Sequence, residues 1–449
     1  MPERFGDLIA GYLAGRRLTP LRGAATRIRG SVVKRSDADS ACRVGWPAVA
    51  ATVALALAAA GCSAAGAAPR AAQAKAVAQV RLTITPANGV REVRPGATVM
   101  VRATSGHIRG VVVRASGAPV AGGLAGGGTI WRSRSPLVPS SSYTVVATAS
   151  GAGGRKVTAT SSFRTLTPRK TFHVTVLEAD HQEYGVGMPI ALTFSRRITD
   201  RKAVERALRV TTSKPVVGAW YWDGGKTVEF RPRKYWSPGT HVSFTGLLNG
   251  VEGAKGVYGT RDVHVAFRIG PSLIVRVSTA THYMDVYYQG RLFGHWPIST
   301  GRPGDDTPDG RYLTIEKANP TFMTGPGYAL WVPWAVRFTW SGVFIHDAYW
   351  SVWAQGSINV SHGCVNTSPA HAETYYKLEA PGDPVIVTGS PRPGTWDNGW
   401  TEWFLPWRQY VRGSALHEAV VAGPQGSAFV SPSTVEAPAV VGPRGHAMA

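Results

Sequence analysis

Acidic residues are scarce in this sequence. Its 449 residues carry 27 Asp and Glu against 49 Lys and Arg, a formal net charge of +22. An excess of this sign suits nucleic acid, anionic lipid or an anionic wall polymer. Nucleic acid is disfavoured, because no zinc finger, RNP-like aromatic motif or basic helix is present and the Arg and Lys are scattered rather than striped. The charge reads as a solvated basic surface, and no nucleic-acid partner is expected. Cysteine is scarcer still. Cys42, Cys62 and Cys364 lie in contexts too different for a disulfide framework. The spacings C-x-x-C and H-E-x-x-H are missing, which argues against a metal centre built from His346, His362, Cys364 and His371. Charged residues are only 17% while apolar ones reach 44%, which excludes a disordered chain.

What is present divides the chain. A length of 449 residues suits two to four domains. The 52 Gly and 31 Pro recur between short runs of Val, Thr, Ile, Tyr and Phe, which favours short strands over long helices. Residues 1–45 are Arg-rich, and an apolar run from Trp46 to Ala60 follows. That run falls short of the about 20 residues a permanent span needs, so it reads as a secretory signal. Its end, Leu57-Ala58-Ala59-Ala60-Gly61-Cys62, resembles a bacterial lipobox, in which the cysteine becomes the lipidated first residue. Ala59 stands where a larger aliphatic residue is usual; the other reading is a plain signal peptide cut near Ala67-Ala68. Under both readings Cys42 is removed. Under both, Cys364 is the only thiol beyond the leader.

The expected fold class is mainly β. After the leader (1–62) and an Ala-rich tether (63–79), alternating patterns such as Val80-Arg81-Leu82-Thr83-Ile84 and Tyr143-Thr144-Val145-Val146 predict a first β-sandwich over 80–168. A second follows over 169–269, with Thr227-Val228-Glu229-Phe230 among its strands. The turns Leu137-Val138-Pro139-Ser140 and Tyr235-Trp236-Ser237-Pro238-Gly239 match, and the first resembles the turn into a late strand of bacterial immunoglobulin-like domains. These are tandem sandwiches in which we find no cluster of catalytic residue types. A third, β-rich unit spans 270–390. It opens with a hairpin turning at Gln289-Gly290, and its one helix starts at Ser368-Pro369 and runs to about Leu378. Trp396, Trp400, Trp403 and Trp407 fill a segment at 391–415 whose rings call for burial against a neighbouring domain more than for sugar stacking. Residues 416–449 read as a mobile tail.

The chemistry gathers in the third unit, in Ser341-Gly342-Val343-Phe344-Ile345-His346-Asp347 and Ser361-His362-Gly363-Cys364-Val365-Asn366. A thiol needs a base to attack at neutral pH. His362, two residues away, is placed to support the loop; His346 lies far enough upstream to come from a neighbouring strand and face the thiol. Gly363 frees the backbone, whose N–H groups there are candidates to hold an oxyanion. Inert packing and a zinc site are the rival readings, and the polar Ser-His-Gly context weighs against the first.

The run Ser361-His362-Gly363-Cys364, preceded by Ile345-His346 and by Thr307-Pro308-Asp309-Gly310, resembles the motifs of L,D-transpeptidases of the YkuD-like family. The stretch from Ser341 to Gln355-Gly356 resembles the actinobacterial, mycobacterial-type branch, which combines export signals, tandem immunoglobulin-like domains and a Trp-rich C-terminal segment. The resemblance implies a cysteine acyltransferase that acts on peptidoglycan stem peptides, tetrapeptide donor and acceptor. It implies no metal and no organic cofactor. Cys364 would be the nucleophile and His346 its general base. The residue after the histidine, Asp347, would orient it, through its main-chain carbonyl as in the family or through its carboxylate. Tyr328 would lie near the oxyanion site and, with Ser341, Gly342, Trp350, Ser361, His362 and Asn366, would occupy substrate positions. Carbapenems would acylate Cys364. A lipid-anchored monomer on the outer face of the cytoplasmic membrane, serving cell-wall biogenesis and cell shape, completes the expectation. The rivals are a hydrolase, a transpeptidase that attaches wall proteins, and a non-catalytic wall-binding lipoprotein.

Overall fold

The computed structural model describes residues 79–436, apart from 152, 153 and 326. The leader with Cys62, the tether up to residue 78 and the tail from 437 onward lie outside the described residues.

Period-two burial builds the first sandwich. Along Ser142–Ser150, Tyr143, Val145 and Ala147 face inward while Thr144 and Val146 face water. This strand pairs with His107–Ala115 and Lys156–Arg164 in a four-stranded sheet; a second such sheet contains Arg81–Thr85, Met100–Thr104 and Ile130–Ser133. Val99, Val101, Trp131, Val145 and Phe163 fill a core that belongs to this sandwich alone. The second sandwich repeats the plan around Trp220, Phe230, Phe244 and Val265. The matched turns are alike in backbone as well. Ser140 at φ 56° follows Pro139, and Gly239 at φ 70° follows Pro238.

The tail departs from expectation. Ala419–Gly423 and Gly426–Val430 form a hairpin, and the first of these strands pairs antiparallel with Val216–Asp223 of the second sandwich, widening its sheet to six strands. The cause is a short apolar run, Ala419-Val420-Val421-Ala422, of which Ala419, Val420 and Ala422 are buried. Flanking Gly and Pro mask it in composition. The strand covers an edge that would otherwise offer unpaired backbone groups.

The Trp-rich segment is packed. Trp400 and Trp403 are buried, the Trp403 indole N–H donates to the Gly187 carbonyl at 2.9 Å, and the Arg231 guanidinium lies 4.4 Å from its ring centre. Trp403 shares one core with Leu313 and Ile315 of the third unit and with the interior of the second sandwich. Main-chain bonds cross the same junction, from Gly185 N–H to Pro381 at 2.8 Å and from Gly187 N–H to Gly382 at 2.9 Å. A Cβ on Gly185 would stand 2.3 Å from the Asp383 nitrogen, so only glycine allows this approach.

The third unit packs two sheets. In the five-stranded sheet Leu273–Ser278 pairs antiparallel with Tyr283–Tyr288 and parallel with Pro384–Thr388. The expected hairpin turn is present, with Gln289 at φ 50° and Gly290 at φ 79°. The four-stranded sheet runs Glu316–Ala318, Ala335–Arg337, Phe344–Asp347, Val365–Thr367, and its last two strands are parallel. Val275, Val286, Tyr312, Phe338 and Ile345 lie between the sheets. Pro369–Leu378 is the predicted helix, capped by the Ser368 hydroxyl, which accepts from the His371 N–H at 3.4 Å. A separate two-stranded hairpin, Thr321–Gly325 with Tyr328–Val332, overhangs the site.

Candidate active site

Parallel pairing of Phe344–Asp347 with Val365–Thr367 sets Ile345 beside Val365 and His346 beside Asn366. Cys364, the one cysteine among the described residues, immediately precedes the second strand. Residues from two distant stretches are thereby brought to one strand edge. His346, Cys364, Tyr328, Trp350, Ser361, His362 and Asn366 line one cleft of about 330 Å³. Met323, Leu330, Val332 and Trp353 complete much of its wall.

The loop before the thiol is held from several sides. Gly363 adopts φ 119°, a conformation that disfavours any side chain. The Thr307 hydroxyl donates to the Gly363 carbonyl at 2.7 Å and accepts from the Gly301 N–H at 3.0 Å. The Ser361 hydroxyl donates to the Cys364 carbonyl at 2.6 Å and accepts from the Gly363 N–H at 3.1 Å. The Gly363 N–H is thus engaged. Expected as an oxyanion donor, it instead closes the Ser361 turn, because its hydrogen points back along the chain. Gly363 acts here through its conformation.

His346 is buried, and its Nδ1 lies 2.6 Å from the main-chain carbonyl of Asp347. A carbonyl only accepts, so Nδ1 carries the proton and Nε2 is left with a free lone pair. Of the two routes open in the sequence, orientation runs through the Asp347 backbone. The Asp347 carboxyl is itself pushed above the usual carboxylate range, by burial first, with the Tyr349 main chain working against it. Burial lowers the His346 imidazole to about 4, against the raising effect of the Asp347 carbonyl. Burial also raises the Cys364 thiol to about 11, opposed by a bond from the Phe344 backbone. The resting pair is therefore neutral thiol and neutral imidazole.

Around them, the Cys364 Sγ lies 3.8 Å from the Gly342 carbonyl. Ser341 and Gly342 are not in the cleft wall; Gly342 meets the thiol through its carbonyl, and the Ser341 hydroxyl accepts from the Asn398 amide at 3.0 Å. The ring of Tyr328 sits 4.8 Å from that of His362 and that of Trp350 6.0 Å from His346. Burial raises the Tyr328 phenol, with neighbouring Cys364 and Asp305 adding to this, so its hydroxyl stays a donor. Asn366 donates to the Ser351 hydroxyl at 2.9 Å, which ties the thiol strand to the turn bearing Trp350. His371 stacks on Trp296 at 4.6 Å instead of facing the thiol. Sequence reading gave no role to Met323, Leu330 and Trp353. The alternation of Met323 with Phe322 and of Leu330 with Trp331 was the available signal.

Residues 272–387 match the model of the L,D-transpeptidase catalytic domain, and residues 90–252 match that of a bacterial Ig domain. L,D-transpeptidase 2 of Mycobacterium tuberculosis is 35% identical over 349 residues, 75% of this chain and 85% of the relative. L,D-transpeptidase 5 of the same organism is also 35% identical, over 75% of this chain and 77% of the relative. A solved structure of an LD transpeptidase in complex with imipenem shares 34% identity, covers 49% of this chain and 100% of its own, and superposes with a TM-score of 0.42. By identity carried over most of the length of both chains, and by a catalytic-domain match that encloses the Cys364 cleft, this chain belongs to the L,D-transpeptidase family.

Proposed function

We propose that this chain forms diaminopimelate–diaminopimelate cross-links between peptidoglycan stem peptides, by ping-pong acyl transfer through a thioester on Cys364. The observation that carries the reading is the free Nε2 of a buried His346, fixed by the Asp347 carbonyl on the strand beside Cys364. Nε2 takes the thiol proton as Sγ attacks the diaminopimelate carbonyl of a donor tetrapeptide. The Tyr328 hydroxyl donates to the oxyanion. As the amide bond breaks, the imidazolium returns the proton to the departing D-alanine amine, leaving the thioester. The side-chain amine of a second stem then attacks, gives its proton to Nε2, and the thiol is restored. A carbapenem enters the same first step, with its lactam amide as the bond that opens.

The test is to incubate purified residues 79–436 with disaccharide-tetrapeptide and measure product masses. A dimer lacking one D-alanine is expected, and Cys364→Ala should yield neither dimer nor carbapenem adduct. An adduct on the Cys364→Ala protein would overturn the assignment. Tripeptide alone, with no dimer, would make water the acceptor.

We propose further that the protein is exported and lipidated at Cys62, and acts as a monomer from the outer face of the membrane. Support comes from the basic flank, the short apolar run and the Gly-Cys that ends it. A single acyl chain holds only weakly, so retention draws on a second chain or on the basic surface. Cys62→Ala should move the protein out of the membrane fraction; retention at the wild-type level would reject the anchor.

A further inference from the structure

The hairpin over the cleft has two faces. Register sets Met323 opposite Leu330 on the face that lines the cleft, and Phe322 opposite Trp331 on the other. The outer pair is in ring contact at 5.2 Å, yet Phe322 is 53% and Trp331 64% exposed. In the segment after Asp347, Trp353 is 73% exposed although it lines the cleft, and Tyr349 is also exposed. Clusters of large exposed rings on segments that also line a cleft mark a surface that something covers. The two segments share a second property. From Ala318 to Trp334 and from Ala348 to Ser361 there is no Asp, Glu, Lys or Arg, in a chain of net charge +22. Asn319, Thr324, Gln355 and Ser357 supply neutral polar groups instead.

We propose that this mouth is a stacking platform for the glycan strand that bears the stem peptides. Phe322 with Trp331 on the outer face of the hairpin and Trp353 with Tyr349 on the second segment take the C–H faces of neutral amino-sugar rings, while the stem peptide enters the cleft beneath the hairpin. This rests on the reading given under Proposed function. A pyranose offers one flat apolar face and a polar rim, which matches exposed rings set among amides and hydroxyls. An anionic lipid surface would want Lys or Arg beside the rings, and neither segment has one. The platform is continuous with the cleft through Trp353, so a substrate that carries sugar and peptide together engages both. In the Trp-rich segment at 391–415, Trp400 and Trp403 are buried, and none of its residues lines the cleft.

The test uses the full chain with Phe322→Ser and Trp331→Ser together, and a conservative pair, Phe322→Tyr with Trp331→Phe. D-Alanine release is measured from disaccharide-tetrapeptide and from the same tetrapeptide without sugars, imipenem acylation is followed in parallel, and binding is read by sedimentation with purified sacculi. The serine pair should lose about tenfold in kcat/KM on the sugar-bearing donor, equivalent to about 1.4 kcal/mol. It should stay within about twofold on the bare peptide and on imipenem, and the conservative pair should recover most of the loss. Equal losses on both peptides would mean that the hairpin positions the chemistry and would overturn the platform. So would no loss on either, ring-dependent binding to phosphatidylglycerol vesicles, or a ring-dependent dimer in sedimentation velocity. Ring-dependent binding to sacculi without any D-alanine release by the wild type would support the platform and reject the cross-linking reading instead.

Discussion

The neutrality of the Cys364–His346 pair has a consequence that pH can read. With the thiol near 11 and the imidazole near 4, the charged pair lies on the order of 9 kcal/mol above the neutral one before the attraction between the charges is counted. Under the reaction proposed above, attack then requires proton transfer in the same step, with His346 as general base. Both groups keep their working protonation states between those values, so imipenem acylation of the wild type should be flat from about pH 6 to pH 9. His346→Gln removes the base and leaves the reaction to the thiolate fraction. For a thiol near 11 that fraction is about 10⁻⁴ at pH 7 and about 10⁻² at pH 9. The variant should therefore be slower by about 10² to 10⁴ at pH 7 and regain about a hundredfold by pH 9. Stopped-flow fluorescence or timed intact mass gives both profiles. A wild-type bell with both limbs between pH 6 and pH 9 would show a preformed thiolate–imidazolium pair, a flat profile for His346→Gln would show a thiolate held without the histidine, and either would refute the reasoning. His362→Ala should lose less than His346→Gln, since His362 meets Tyr328 and is not tied to the thiol strand.

Other perturbations follow from the same geometry. Deleting residues 79–168 should leave imipenem acylation and the remaining melting transition within error, because the first sandwich has its own core; a lost transition would show that the junction carries stability. Deleting through 269 should unfold the third unit, as Leu313, Ile315 and Trp403 would lose shared partners, and a folded, reactive fragment would contradict this. Glu178 is buried, accepts from the Ala191 N–H at 3.1 Å, and is raised to about 8 by burial first. A carboxyl raised on folding contributes stability that is complete below about 4.5 and lost as pH climbs through about 8, on the order of 5 kcal/mol in all. Glu178→Gln should remove most of that slope in urea midpoints taken at pH 5 and pH 8, and an unchanged slope would place the proton elsewhere. Asn398→Ala removes the amide that holds Ser341 at 2.8 and 3.0 Å; it should slow acylation severalfold through the Gly342 loop while costing about 1 kcal/mol or less in global stability. A rate equal to the wild type would free that loop from any role.

Much of the site was legible because the motif residues sit next to their structural causes. Ser361, Gly363 and Cys364 form a closed turn within four residues, and the Ser368-Pro369 cap starts a helix where its spacing says it should. What the sequence left open were choices between groups of one residue. Asp347 offers a carboxylate and a carbonyl, and only the backbone path shows the carbonyl turned to Nδ1. Gly363 offers a hydrogen and a conformation, and only the Ser361 contact shows that the hydrogen is engaged. The tail hairpin was hidden for another reason. Four apolar residues between glycines and prolines carry no periodic signal, and they become a strand because Val216–Asp223 presents an edge to them.

The arrangement also bears on what the second sandwich does. A spacer needs only a linker, yet here the backbone at Gly185 and Gly187 is bonded to Pro381 and Gly382, just before the interior strand Pro384–Thr388. From Trp403 the chain passes to Phe404, whose ring meets Tyr312 at 5.1 Å; Tyr312 meets Phe338 at 5.4 Å. The Phe338 N–H donates to the Val343 carbonyl at 3.0 Å, and Gly342 is the next residue back, with its carbonyl against the thiol. Asn398 of the same Trp-rich segment fastens Ser341 beside it. The loop on the outer side of Cys364 is thus braced by a segment whose anchor is the core of the second sandwich. In the reaction proposed above, a nucleophile that is neutral at rest depends on placement more than on charge, since its base must meet it within hydrogen-bond reach at the moment of attack. That requirement gives the shared core a chemical reason as well as a mechanical one: the second sandwich is part of the wall against which the thiol is set, and the first is the part free to act as a spacer.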